Sequence, residues 1–142
     1  MSDQNNALLD RLPHTGQARL PQRILHLEPA ARVAGERRLA PGDSCLNGSG
    51  FLPSSLLVEL MAQVGGVLLV DPQEPAGGYA MLAGIKRMHL HGTAAAGETV
   101  LVECSLVRRL GDLYLLECRS RAAGRDLAHG TMQIRRVAGG PR

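Results

Sequence analysis

Residues 52–70 read LPSSLLVELMAQVGGVLLV, a run whose helical projection is apolar on nearly every face and is interrupted only by Glu59 and Gln63. A helix of that kind is stable only when other elements surround it, so the rest of the chain has to wrap around this segment. Pro53 suits a first helical turn, and Ser54 and Ser55 can engage the orphan amides there. Glu59 and Gln63 lie four residues apart and therefore share one side. A carboxylate in such surroundings is expensive without a partner or a use, and desolvation is one way enzymes tune carboxyl groups for proton transfer. The plainer alternative is that Glu59 turns to solvent or pairs with one of the sixteen Lys and Arg.

What wraps the helix is read from alternation. Four segments with strand character follow, at residues 79–90, 98–110, 113–122 and 125–137, punctuated by Gly92, Gly97, Gly111-Asp112 and Gly124. Val100, Val102, Cys104 and Leu106 alternate with outward positions, as do Tyr114, Leu116 and Cys118. Two shorter strands are expected ahead of the helix, at 20–27 and 32–39, with Pro29 between them and a helical turn near 8–12. Pro41-Gly42-Asp43 is a turn, 44–50 a loop of small residues, and 71–78 a polar Pro/Gly linker expected to be mobile. The chain reads as a single domain over 1–142, with 1–6 and 138–142 expected to be disordered. The expected class is α+β, an antiparallel sheet wrapped around one long central helix. One sheet on one helix leaves an edge and an apolar face uncovered, so a dimer with a continuous sheet is expected.

Composition removes several functions. Phe51, Tyr79 and Tyr114 are the only aromatics, too few to stack bases, and a net charge of +3 is too mild and dispersed for nucleic acid. Cys45, Cys104 and Cys118 are odd in number and lack paired spacing, which predicts free thiols in a reducing compartment. No signal peptide or membrane span is read, so a cytoplasmic location is the default expectation. His89 and His91 share one face of a predicted strand, but the sequence places no third ligand, and neither metal nor cofactor is expected.

Several short motifs fall in a specific order. They are Leu12-Pro13-His14, then Arg23 through Pro29, then Leu52-Pro53 with Glu59-Leu60-Met61-Ala62-Gln63, and finally Ala83-Gly84-Ile85-Lys86 with Gly97-Glu98. Over roughly residues 12–137 the chain resembles the hotdog fold, and within it the 3-hydroxyacyl-[acyl carrier protein] dehydratases of fatty acid and polyketide synthesis. The resemblance implies removal of water from a 3-hydroxyacyl thioester held on a carrier protein. Glu59 would handle the leaving hydroxyl, with Gln63 fixing Glu59 or a water. The Ser54 and Ser55 amides, unpaired at the positive end of the helix, would polarise the thioester oxygen. Lys86 and Arg87 would meet an acidic carrier protein. His14 has a counterpart in the family and is read as structural.

One departure bears on the chemistry. Those dehydratases pair the helix carboxylate with a histidine fourteen residues earlier, contributed across the dimer interface; here that position is Cys45. In this the chain resembles the dehydratase-like proteins encoded beside aryl polyene pathways, which keep Glu-Leu-Met-Ala-Gln and lack the loop histidine. Cys45 would be the base if its thiol is depressed, or else a small apolar filler. Two other functions stay open. One is a noncatalytic acyl-thioester-binding partner subunit, dimerised with itself or a paralogue. The other is a hotdog thioesterase in which Glu59 activates water.

Overall fold

The expected run at 52–70 is a helix in its middle part. In the computed structural model, which describes residues 6–70 and 79–137, α1 spans Ser54–Gly66 and runs on into a 3-10 turn at Val67–Leu69. Pro53 stands at the N-cap, and its carbonyl accepts the Leu56 and Leu57 amides, each at 3.0 Å. The serines do not cap, contrary to the expectation from their type. A side-chain cap comes from the N-cap residue, and Ser54 and Ser55 lie one and two places too far in, both exposed. Leu57, Leu60, Met61, Val64 and Val67 are at most 1% exposed, so the helix is surrounded as its composition demands.

What surrounds it is one six-stranded sheet. The strands are β1 (Arg23–Glu28), β2 (Arg32–Arg38), β3 (Tyr79–Leu90), β4 (Thr99–Leu110), β5 (Leu113–Ala122) and β6 (Arg125–Val137). Their order is β1-β2-β4-β5-β6-β3, every neighbouring pair antiparallel. Val100, Val102 and Cys104 of β4 and Tyr114, Leu116 and Cys118 of β5 face the helix and are buried. In β1 it is Ile24 that points inward, while Leu25 is exposed. The three cysteines are free and buried. No helix among the described residues is long and apolar enough to cross a membrane. The ends expected to be loose and the linker at 71–78 lie outside the described residues, except Asn6, whose side-chain oxygen accepts the Ile24 amide at 2.8 Å.

Two close approaches tighten the assembly. A Cβ on Gly65 of α1 would come 2.9 Å from Leu116 Cδ1 and 3.2 Å from Ile134 Cδ1, so the helix lies directly on β5 and β6. On β6, a Cβ on Gly130 would run into the Arg87 carbonyl oxygen and stand 2.8 Å from Met88 Cα, beside an irregularity in β3 between Ile85 and Arg87. Strand β3 pairs with β6 alone and forms one edge of the sheet. Along it Met81, Leu82, Ile85 and Leu90 are 36–52% exposed, an apolar edge of the kind that invites another strand.

The turn before β4 carries the clearest acid-sensitive contact. The Arg125 guanidinium clasps both Glu98 carboxylate oxygens, and the Ala95 amide donates to Glu98 Oε1 at 2.7 Å. Arg125, with the Ala95 amide second, holds the Glu98 carboxyl at about 2 against an ordinary 4.5. A carboxyl whose folded value is depressed stabilises the fold above its unfolded value, and that stabilisation is lost as pH falls through the folded one. Urea midpoints of the wild type should therefore drop between pH 4.5 and about 2, and Glu98→Gln should flatten that limb. Parallel curves for the two proteins would remove this contact from the acid response.

Candidate functional site

Gln63 is the fixed point of the site. It is 2% exposed, and each of its amide atoms is engaged. Its Nε2 donates to the Ala18 carbonyl at 2.9 Å and to Glu59 Oε1 at 3.0 Å, while its Oε1 accepts the Leu20 amide at 2.8 Å. The Ala18 bond joins the helix to the 3-10 turn Gly16–Ala18, the Glu59 bond stays within the helix, and the Leu20 bond reaches the extended stretch that leads into β1. The i, i+4 spacing read from the sequence thus delivers a side chain that cannot rotate holding one that can. Glu59 is more open than a helix apolar all round suggests: its carboxylate side chain is 38% exposed. The physical reason is that this side of α1 fronts a cleft rather than the sheet.

The same chain brings an imidazole to that carboxylate. His14 Nε2 lies 3.1 Å from Glu59 Oε1, and His14 Nδ1 is buried without a hydrogen-bond partner. His14 is carried by the segment between two 3-10 turns, Leu8–Arg11 and Gly16–Ala18. Arg19 tethers that segment by bonding Asp10 at 2.9 Å and the His14 carbonyl at 3.4 Å. Glu59 and His14 stand together in a half-open cleft of about 290 Å³. Pro13 lines one side, Ala62 and Gly66 the helix side, and residues 79–82 and Ile134 the sheet side. An acid and an imidazole at the head of a largely apolar slot can move protons on a substrate with a hydrocarbon tail.

The other expected site residues fall elsewhere. Cys45 is 4% exposed and does not line this cleft. Its amide donates to Asp43 Oδ1 at 2.9 Å, and Arg37 Nη2 holds both Asp43 oxygens at 2.8 and 2.9 Å. Burial pushes the Asp43 carboxyl up, but the Cys45 amide and Arg37 outweigh it and keep the group below its ordinary range. Burial also pushes the Cys45 thiol up, against the pull of Arg37, so the thiolate is disfavoured there. Ser54 and Ser55 are exposed at the start of α1 and do not line the cleft either. Lys86 and Arg87 are exposed on β3.

Arg87 belongs to a groove on the outer face of the sheet, with His89, Arg119 and His129. There His129 supplies the third ring that the spacing of His89 and His91 does not provide. The three imidazoles stack, with His129 centroids 4.9 and 4.8 Å from His89 and His91, and His91 Nε2 lies 2.8 Å from His129 Nδ1. Lone pairs in near-parallel ring planes do not converge on one ion, and among the described residues no group of three or more side chains can hold a metal.

Sequence reasoning gave His14 a structural role and missed its contact with Glu59. The signal was weak: Leu12-Pro13-His14 marks a motif, but forty-five positions separate His14 from Glu59 and no spacing rule links them.

Known proteins resemble the chain in sequence and in fold. No protein-family model matches the chain. The 3-hydroxyacyl-[acyl-carrier-protein] dehydratase FabZ of Herpetosiphon aurantiacus is 32% identical over 131 residues, covering 89% of this chain and 93% of that protein. That of Desulforamulus reducens is 30% identical over 112 residues, covering 76% of this chain and 79% of that protein. Among solved structures, the dehydratase heterocomplex ApeI:P from Xenorhabdus doucetiae superposes with a TM-score of 0.80 over 91% of this chain and 90% of that one. At 20% identity that is a likeness of fold, and the fold is the hotdog arrangement expected from the motifs.

Proposed function

Because the chain belongs to the 3-hydroxyacyl-[acyl-carrier-protein] dehydratase FabZ family, we propose that it eliminates water from 3-hydroxyacyl thioesters borne on an acyl carrier protein. The observation that carries the proposal is the clamp on Glu59. Elimination needs a group that protonates the departing C3 hydroxyl, a base for the C2 proton, and polarisation of the thioester carbonyl. Glu59 is assigned the first task. Gln63 and His14 both contact Oε1, which leaves Oε2 for the substrate hydroxyl. The apolar walls of the cleft suit the acyl chain.

Ser54 and Ser55 present amides at the positive end of α1, and we assign them to the thioester oxygen. Cys45 reaches a substrate only if its loop meets the cleft of a second protomer, as the resemblance implies. Lys86 and Arg87 are assigned to the carrier protein on the strength of exposure and charge. The apolar β3 edge supports dimerisation, with a second copy or with a paralogue; the ApeI:P dehydratase heterocomplex is a precedent for assembly with a different chain on this fold.

The test has two measurements on the purified protein, alone and with any co-purifying paralogue. Light scattering at micromolar concentration should give a dimer, and mass spectrometry should show loss of water from 3-hydroxyacyl carrier protein. A monomer with no turnover would overturn the proposal. Hydrolysis of the thioester would instead make it a thioesterase, and tight acyl-carrier binding without turnover a partner subunit.

A further inference from the structure

The Glu59–His14 contact supports an inference that rests on the dehydratase reading and deepens it. We propose that His14, from the same chain as Glu59, is the base that takes the C2 proton, so that the acid–base pair is complete within one protomer. The loop position where the family's partner protomer contributes a histidine is Cys45 here. Its thiol is buried beneath the Arg37–Asp43 pair and pushed away from the thiolate form. The chain's other imidazoles do not line the Glu59 cleft: His26 lies on β1, and His89, His91 and His129 stack together away from it. His14 lines that cleft, 3.1 Å from the carboxylate, with its side chain 33% exposed.

The proton balance closes with these two groups. A neutral His14 imidazole takes the C2 proton through Nε2, and the C2 electron pair forms the C2–C3 double bond. The C3–O bond breaks, and the Glu59 carboxyl gives its proton to the departing hydroxide as water. That leaves an imidazolium beside a carboxylate. Their 3.1 Å contact then carries the Nε2 proton back to Glu59 Oε1, and a half-turn of the carboxyl presents that proton to the next hydroxyl, restoring both groups without a second base. Nδ1 keeps its hydrogen throughout, which fits its burial away from solvent.

The experiment uses the intact protein and a 3-hydroxyacyl carrier-protein substrate. His14→Gln places an amide near where Nε2 stood; it can hydrogen-bond to Glu59 but cannot take up a proton. It is expected to lower kcat by about 10²–10⁴-fold with KM nearly unchanged. His14→Ala guards against misfolding of the first variant, and added imidazole should restore part of its turnover. A purely structural His14 would raise KM or lower the melting temperature and would not respond to imidazole. Turnover in His14→Gln equal to wild type overturns the inference while leaving the dehydratase reading intact, as does a loss in Cys45→Ala as large as that in His14→Gln. A wild type that dehydrates no 3-hydroxyacyl thioester sinks the dehydratase reading, and this inference with it.

Discussion

Glu59→Gln is expected to leave the fold intact and to reduce dehydration by at least about 10²–10⁴-fold, the range typical of losing a general acid. The substitution preserves shape, and its carbonyl oxygen can still accept from Gln63 Nε2, the bond that fixes the side chain. What it removes is the ionisable proton. The contact with His14 that it alters is between groups 33% and 38% exposed, and contacts that open to solvent contribute less than about 1 kcal/mol even when both partners are charged. The melting temperature should therefore stay close to that of the wild type. Undiminished turnover in a folded Glu59→Gln protein would take this residue out of the chemistry.

Gly130→Ala should do the reverse, costing stability rather than acting on the chemistry. Its added carbon would meet the Arg87 carbonyl oxygen and lie 2.8 Å from Met88 Cα, both of them backbone atoms of a paired strand. A flexible side chain could swing away, but a strand can only separate. Overpacking of this kind costs about 1–3 kcal/mol, and a site confronted by backbone belongs at the upper end, roughly a 10 °C fall in Tm. Gly92→Ala is the matched control, because nothing lies within 4 Å of its added carbon. Equal melting of the two variants would mean that β3 and β6 are less tightly joined than they look.

How far the sequence carried these conclusions depended on the range of the signal. The helix and the strands after it were legible because their patterns are local: an all-round apolar run, and the period of two seen at Val100, Val102 and Cys104. The i, i+4 pairing of Glu59 with Gln63 was legible for the same reason. Strand β1 was expected from residue 20 but begins at Arg23: the Leu20 amide is taken by Gln63, and bonding to β2 starts only with the Gln22 amide on the Glu36 carbonyl. The order of strands was not legible. Nothing in the alternation of β3 says that it lies beyond β6 rather than beside β4. The serines misled because residue type suggested capping while position decided against it. His14 was invisible as a site residue because its partner is distant in the chain, and its segment is brought to the helix by tertiary contacts, the Gln63 clamp on Ala18 and Leu20 and the burial of Leu12 beside Gly66.

The placement of β3 has a consequence for the chain while it is being made. Among the described residues its only sheet neighbour is β6, which is synthesised after β4 and β5, so β3 must wait unpaired with its apolar side chains in water until β6 has been made. Residues 79–82 of β3 and Ile134 of β6 are also the sheet-side walls of the cleft. A nascent or truncated chain that stops short of β6 therefore carries Glu59 on a helix with no pocket around it. Pairing so distant in sequence is slow to form and exposes the unfinished chain to aggregation. The acid becomes useful only when β6 arrives, which makes the pairing of β3 with β6 the step that switches the cleft on.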